Sequence, residues 1–253
     1  RLAQPTRLIK VVNSGLNSMT RFAQQTEPQF SRQQLGELVS EAKRLGSEVM
    51  VHANGEVPVR TAIEAGCHSI EHGFFMGRQN LELMADKGVY WVPTIYTMKA
   101  YALNAEHYRT SIDVKVAEQN LAHQLEQVAL ARELGVKVAL GTDSGSIGVL
   151  HGESLVEEMK LFMRAGFSLA ETIGCATKQG AQLLGLTDLG TLEPGKPANF
   201  LVARGTPSQL PRKLTYLETI YLNGQPSQAY RRDPDYTTLR KFEGVAFSGK
   251  VRY

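Results

Sequence analysis

The chain has 253 residues, 42% of them hydrophobic and 21% charged, and its 28 basic and 25 acidic side chains leave a formal charge of +3. These figures exclude a disordered or fibrous chain, and the length suffices for one large α/β core that buries roughly three quarters of the unfolded surface. The positive excess is scattered, with only the segment after Gln225 locally basic, and no apolar run reaches the length of a membrane span, so neither nucleic acid nor a membrane is an expected partner.

Short apolar runs alternate with longer amphipathic stretches, the pattern of a mainly parallel sheet. Leu8 to Val12 reads as the first strand. Ser31 and Gln34 form a capping-box pattern that opens a helix running to Leu45 and stopped by Gly46. Glu48 to His52 is the next strand, followed by a helix from Val57 to Ala65 that ends at Gly66. Cys67 to Glu71 reads as a strand, Asn80 to Lys87 as a helix closed by Gly88, and Val89 to Val92 as a strand ended by Pro93. Asp113 to Leu134 is a long helix stopped by Gly135; strand Val136 to Leu140 and helix Glu153 to Ala165 follow. Ser168 and Glu171 then open a further helix.

After Leu186 the style changes. Gly190, Pro194, Gly195 and Pro197 punctuate apolar runs at Asn199 to Ala203 and Thr219 to Leu222, with a turn at Asn223-Gly224, as in β structure outside the βα series. Three regions result: 1–186, 187–230, and a polar tail, 231–253. Cys67 and Cys175 lie far apart and outside any CxxC pair, which points to a reducing compartment, here the cytoplasm.

Four polar residues share one placement. Lys10 lies within LIKVV, His52 closes EVMVH, His72 closes HSIEH, and Asp143 follows VALGT, so each sits within or at the C-terminal end of a predicted strand. In a parallel barrel that end carries the catalytic groups. Two imidazoles, a carboxylate and a lysine suit a borderline divalent metal such as zinc. Singly, each has a plainer reading: a hydrogen-bonded histidine, a turn-forming aspartate, or a salt-bridged lysine. Lys10 stands out, because an ammonium buried in a strand must be paired, neutralised or chemically changed. His68, four residues before His72 and roughly 13 Å away along an extended strand, cannot share a metal with it and is expected to be structural. His107 and His123 have no partner at matching spacing. His151 follows Asp143 on the same predicted loop and is a candidate to touch substrate.

The segments LIKVV..SG, VHANGE, AIEAGCHSIEHG, WVPT, GVKVALGTDSG, HGE and LGTLEPGKPANFLV, in that order, resemble the metal-dependent amidohydrolase superfamily. Within it they are most similar to the prolidase (Xaa-Pro dipeptidase), Xaa-Arg carboxypeptidase and imidazolonepropionase-like branch. The resemblance covers Leu8 to Gly224. It implies strands four to eight of a TIM (β/α)8 barrel in 1–186 and the C-terminal part of a small β-sandwich in 187–230. It also implies that Lys10 is the carboxylated (carbamylated) lysine of the fourth strand that bridges two metals. His52 and His72 correspond to the ligands of the fifth and sixth strands, and Asp143 to the ligand and proton shuttle after the eighth. Relatives carry an HxH pair on a first strand, and no such pair precedes Lys10 here. Asn54 stands where many of them have a second histidine, and Asn199 replaces a frequent aspartate.

The resemblance implies a zinc hydrolase, with two divalent ions in the complete enzyme, that cleaves a peptide-like C–N bond by a metal-activated hydroxide. Its expected substrate is a dipeptide or N-acyl amino acid with a free carboxylate, oriented by Tyr96 and His151. Two other readings compete. One is an inert amidohydrolase-like assembly or binding domain. The other is a deaminase of the same superfamily, which the spacing of Glu56 and the presence of Lys10 disfavour. The chain opens at Arg1 in mid-pattern, so the 253-residue piece is expected to be inactive alone, and oligomeric or paired with a complementary N-terminal half.

Overall fold

Residues 7–107, 111–228 and 230 are described by a computed structural model of the chain. Five strands, β1 (Leu8–Val12), β2 (Glu48–Ala53), β3 (Ser69–His72), β4 (Tyr90–Val92) and β5 (Lys137–Val138), form one parallel sheet paired in chain order. Parallel neighbours need crossover connections, and helices supply them. They are α1 (Arg32–Arg44), α2 (Glu56–Glu64) and α3 (Arg78–Lys87), then α4 (Tyr96–Leu103) and α5 (Val114–Glu133) together between β4 and β5. Beyond β5 lie α6 (Glu153–Arg164), α7 (Leu169–Gly174) and α8 (Gly180–Leu183), the last two joined through a π-helical segment, Cys175–Gln179.

The local signals work as expected at both capping boxes. Ser31 Oγ accepts the Gln34 N–H at 3.2 Å while Gln34 Oε1 accepts the Ser31 N–H at 2.9 Å, and Ser168 and Glu171 repeat the exchange at 3.2 and 2.7 Å. Two elements differ. The strand expected over Val136 to Leu140 shortens to Lys137–Val138, because the Leu140 N–H leaves the sheet for the Cys175 carbonyl, 3.1 Å away at the π-helical segment. Helix α4 has no counterpart in the sequence reading, since its cap is contributed from 62 residues away.

Register fixes the two faces of the sheet. Val12 pairs with His52, His52 with Glu71, and Glu71 with Val92, so these four share a face with Lys10, Met50, Ser69 and Tyr90. The other face carries Val49, Val51, Ala53, Ile70, Trp91 and Val138. It packs against Leu35 and Val39 of α1, Val59 and Ile63 of α2, Leu81 and Met84 of α3, Val128 of α5 and Phe162 of α6. All of these helices thus cover one face. On the first face Lys10 and Val12 are exposed, so the burial expected for Lys10 is not met.

A second, antiparallel sheet holds β6 (Phe200–Ala203), β7 (Leu217–Leu222) and β8 (Gln225–Pro226). Asn223 and Gly224 join β7 to β8 with φ of +51° and +77°, the conformation for which an Asn-Gly pair is suited, and Asn199 Oδ1 accepts the Asn223 N–H at 2.7 Å. The tail expected over 231–253 lies outside the described residues. Among the described residues no helix is long and apolar enough to cross a membrane.

The cap of α4 is Glu158, which is 0% exposed on α6. Its two carboxyl oxygens accept the Ile95 and Tyr96 N–H groups at 2.8 and 2.6 Å, where the positive end of the α4 dipole lies. Burial pushes this carboxyl up to about 8 against the lowering pull of those two N–H groups. The folded chain therefore keeps the proton across a window in which the unfolded chain, titrating near 4.5, has released it, so stability falls as pH rises from about 4.5 to about 8. Melting temperatures recorded between pH 5 and 8 should decline more steeply for the parent protein than for Glu158→Gln, which has no proton to release. Equal slopes would show the carboxyl titrating alike in both states.

Candidate active site

The C-terminal ends of β2, β3 and β4 and the loop after β5 bring His52, His72, Thr94 and Asp143 to one end of the sheet. Three of them have left-handed backbone, with φ of +70° at His72, +45° at Thr94 and +56° at Asp143. That region costs a residue with a Cβ about 1–2 kcal/mol. At His72 it has a purpose: strand register pairs His72 with Ala53, on the helix-covered face, whereas its ring lies 4.6 Å from that of His52 with the planes at 65°. The left-handed turn carries the imidazole out of the strand's alternation and against its partner. The His72 carbonyl accepts Trp91 Nε1 at 3.0 Å and Gln124 Nε2 at 2.6 Å, and Nδ1 lies 2.8 Å from Thr94 Oγ1. Gly73 continues the turn at φ +63°, where a Cβ would come 2.5 Å from Met76 Cε and 2.6 Å from Trp91 Nε1. Only glycine fits there.

His52 is held by the segment after β1. The Asn13 N–H donates to the His52 carbonyl at 2.9 Å, and Ser14 Oγ accepts the Asn54 N–H at 2.9 Å. His52 Nε2 faces the Gly15 carbonyl at 3.3 Å and the Asn54 amide at 3.5 Å. Asn54 Oδ1 accepts the Phe74 N–H at 3.0 Å, so this residue, outside the expected ligand set, joins the segment after β1 to the turn after β3.

Electrostatics favour neutral imidazoles. Burial lowers His52 below its usual range; the Gly15 carbonyl and Asp143 oppose this and Lys10 adds to it. His72 falls to about 3 through burial, then through His52 and Lys10. Both rings therefore offer lone pairs at neutral pH. Glu71, which sequence reading did not single out, lies buried on the same face in register with His52. Burial holds it above the ordinary carboxylate range, opposed by a 2.6 Å hydrogen bond from Ser69 Oγ and by Lys10 and reinforced by Asp143. The signal was present in SIEH, where Glu71 has the strand parity of His52 and His72 does not.

Among the described residues no three His, Cys, Asp or Glu side chains stand close enough together to hold a metal ion. The structure does bring together His52 and His72, with Lys10 on the same face two residues before the partner of His52. Two neutral imidazoles, one with Nδ1 anchored on Thr94 so that Nε2 remains, are donors of the kind zinc takes, and the chemistry of this set fits that metal. Asp143 is exposed, in a loop where Thr142 Oγ1 and Ser144 Oγ lie 2.6 Å apart.

Tyr96 opens α4, half-buried, with Lys99 Nζ 5.8 Å from its ring centre. Burial, Glu157 and Glu153 raise its hydroxyl above the usual range. His151 is exposed ahead of α6. His68 sits 2.9 Å from the Leu183 carbonyl and against the Tyr90 ring at 5.3 Å, the structural place expected for it. His123 packs on Phe75, ring to ring at 4.6 Å.

Ochratoxinase of Aspergillus niger is 30% identical to this chain over 212 residues, 82% of this chain and 42% of the relative. Imidazolonepropionase of Paracoccus denitrificans is 27% identical over 181 residues, 68% and 39% of the two chains. A crystal structure of a Xaa-Pro dipeptidase with methionine bound in the active site superposes with a TM-score of 0.73 at 30% identity, over 87% of this chain and 54% of that one. The chain thus spans about half the length, or less, of the relatives it matches. Residues 1–253 match the Amidohydrolase family, and the chain belongs to that family.

Proposed function

We propose that the whole protein hydrolyses the amide bond of a small substrate bearing a free carboxylate, a dipeptide or N-acyl amino acid, at a zinc site held by His52, His72 and Lys10. The observation that carries this reading is the His52–His72 pair, two neutral imidazoles 4.6 Å apart at the ends of adjacent parallel strands. Sheet order supports a barrel as the scaffold. Five strands run in chain order without reversal and the helices that pack on them cover one face, whereas a doubly wound sheet reverses its order and is covered on both. In this reading 1–186 forms strands four to eight of a (β/α)8 barrel, and the antiparallel sheet in 187–230 belongs to a small β-sandwich.

Bound zinc would supply Lewis-acid polarisation of the substrate carbonyl and make water acidic enough to attack at neutral pH. The protein's part is to hold the donors and move the proton. His72 keeps Nδ1 on Thr94 and presents Nε2, while His52 turns its ring between Gly15 and Asn54. Lys10 as an ammonium would repel a cation. As a carbamate, formed when its neutral amine adds carbon dioxide and loses a proton, it is an anionic oxygen donor. Asp143, in an exposed loop beside the histidines, accepts the proton of the attacking water and returns it to the departing nitrogen. Tyr96, which follows β4, and His151, which lies between β5 and α6, are the candidates to orient the substrate carboxylate. The dipeptidase crystal structure, with a free amino acid in its active site, supports a substrate of that kind.

Asp143→Asn in the whole protein should lower kcat on dipeptides by at least ~100-fold, the lower range for a positioned acid or base, with metal content measured by mass spectrometry unchanged. Activity near the parent value at full occupancy would remove Asp143 from the proton path. A parent protein that retains no divalent metal after zinc loading would favour the inert assembly domain instead.

Lys10→Ala should lose activity and regain part of it in millimolar propionate, whose carboxylate substitutes for the carbamate. No rescue, together with a bare lysine in the electron density of the whole protein, would return Lys10 to the structural reading.

A further inference from the structure

Helix α5 buries a glutamine that the site has not yet absorbed. Gln124 is 0% exposed, and a primary amide in such a place is costly unless each polar atom is paired. Its Nε2 donates to the His72 carbonyl at 2.6 Å and the Pro93 carbonyl at 3.1 Å, while Oε1 accepts Gln127 Nε2 at 2.8 Å, so its partners alone fix the amide's orientation.

The place of that bridge matters. The ladder between β3 and β4 ends at the Glu71–Val92 pair. Beyond it the His72 and Pro93 carbonyls stand side by side, both acceptors, and Pro93 has no N–H to extend the pairing. A primary amide has two donors and can join two carbonyls without bringing a charge into the interior. Pro93 leads directly into Thr94, whose Oγ1 meets His72 Nδ1 at 2.8 Å. One side chain therefore anchors the backbone on both sides of the hydrogen bond that orients the His72 ring.

We propose that Gln124 is a positioning residue: by bridging the His72 and Pro93 carbonyls it holds His72 in its left-handed turn and fixes the imidazole as a metal donor. This rests on the zinc-site reading above, and the experiment separates the two. Gln124→Met keeps length and volume without a donor. Gln124→Glu keeps shape and, protonated, one donor of the two. Asn120→Leu removes another fully buried amide of α5, one that donates to the Ser18 carbonyl instead.

In the metal-free whole protein labelled with 15N-histidine, the parent His72 ring should show one tautomer, protonated at Nδ1, and Gln124→Met a mixture of the two. Zinc affinity, measured by chelator competition, should fall 10- to 100-fold in Gln124→Met, by less in Gln124→Glu, and within threefold in Asn120→Leu. A Gln124→Met protein with unchanged ring signals and affinity would overturn the proposal, as would an equal affinity loss in Asn120→Leu. If Gln124→Met does not fold, unchanged ring signals and affinity in Gln124→Glu overturn it. A parent that binds no zinc removes the functional reading, and the ring spectra then decide the positioning role alone.

Discussion

A parallel strand sends successive side chains to opposite faces, yet here two neighbouring residues, Glu71 and His72, turn to the same one. Glu71 has the parity of the open face and occupies it; His72 has the parity of the helix-packed face and reaches His52 only through a backbone φ of +70°. The departure is possible because the strand ends there. One residue earlier it would break the ladder to β4; at His72 the freed carbonyl takes side-chain donors in place of backbone ones. Gly73 is the complement of that choice, since a second left-handed residue with a Cβ would collide with Met76 and Trp91.

Placing two histidines in contact sets the electrostatics of everything around them. Each imidazolium would raise the cost of the other, and burial with a nearby Lys10 charge pushes the same way, so both rings stay neutral. Glu71 meets the opposite pressure: desolvation and Asp143 favour its protonated form, although Ser69 and Lys10 stabilise the carboxylate. Lys10 and Asp143, which act on these groups from a distance, are both exposed to water.

What the sequence made legible was local. Strands β1 to β4 and helices α1, α2, α3, α5 and α6 were marked by apolar period, by Ser-x-x-Gln capping or by a closing glycine, all within a few residues of the element they define. Helix α4 was missed because its cap, Glu158, comes from α6, and the end of β5 because its N–H goes to Cys175. The same division holds in the site. His52 and His72 were found as polar residues closing apolar runs, yet the left-handed turn that makes His72 useful, and the amide on α5 that supports it, depend on contacts across 52 residues of chain. Lys10 was expected to be buried from the apolar character of its own strand, but exposure depends on what covers the strand's face, which LIKVV cannot encode.

The supports of the site come from its rear. Gln124 and Gln127 reach the turn after β3 from α5, Glu158 reaches the turn after β4 from α6, and Asn13 and Asn54 tie the end of β2 to its neighbouring segments. The supporting side chains bond mainly to backbone: the amides of Gln124 and Gln127 donate to the His72, Pro93 and Gly73 carbonyls, the amide oxygens of Gln127 and Asn54 accept the Gly77 and Phe74 N–H groups, and the Glu158 carboxyl accepts those of Ile95 and Tyr96. Strand-end backbone beyond the ladder has unmet hydrogen-bonding capacity, and a buried polar side chain from the helix layer can meet it without entering the site. Side-chain atoms on the open face are then left for ligands, and rigidity is secured at the peptide groups behind them. This is why buried Gln and Glu, ordinarily costly in a helix core, concentrate on α5 and α6, the helices that pass behind those turns.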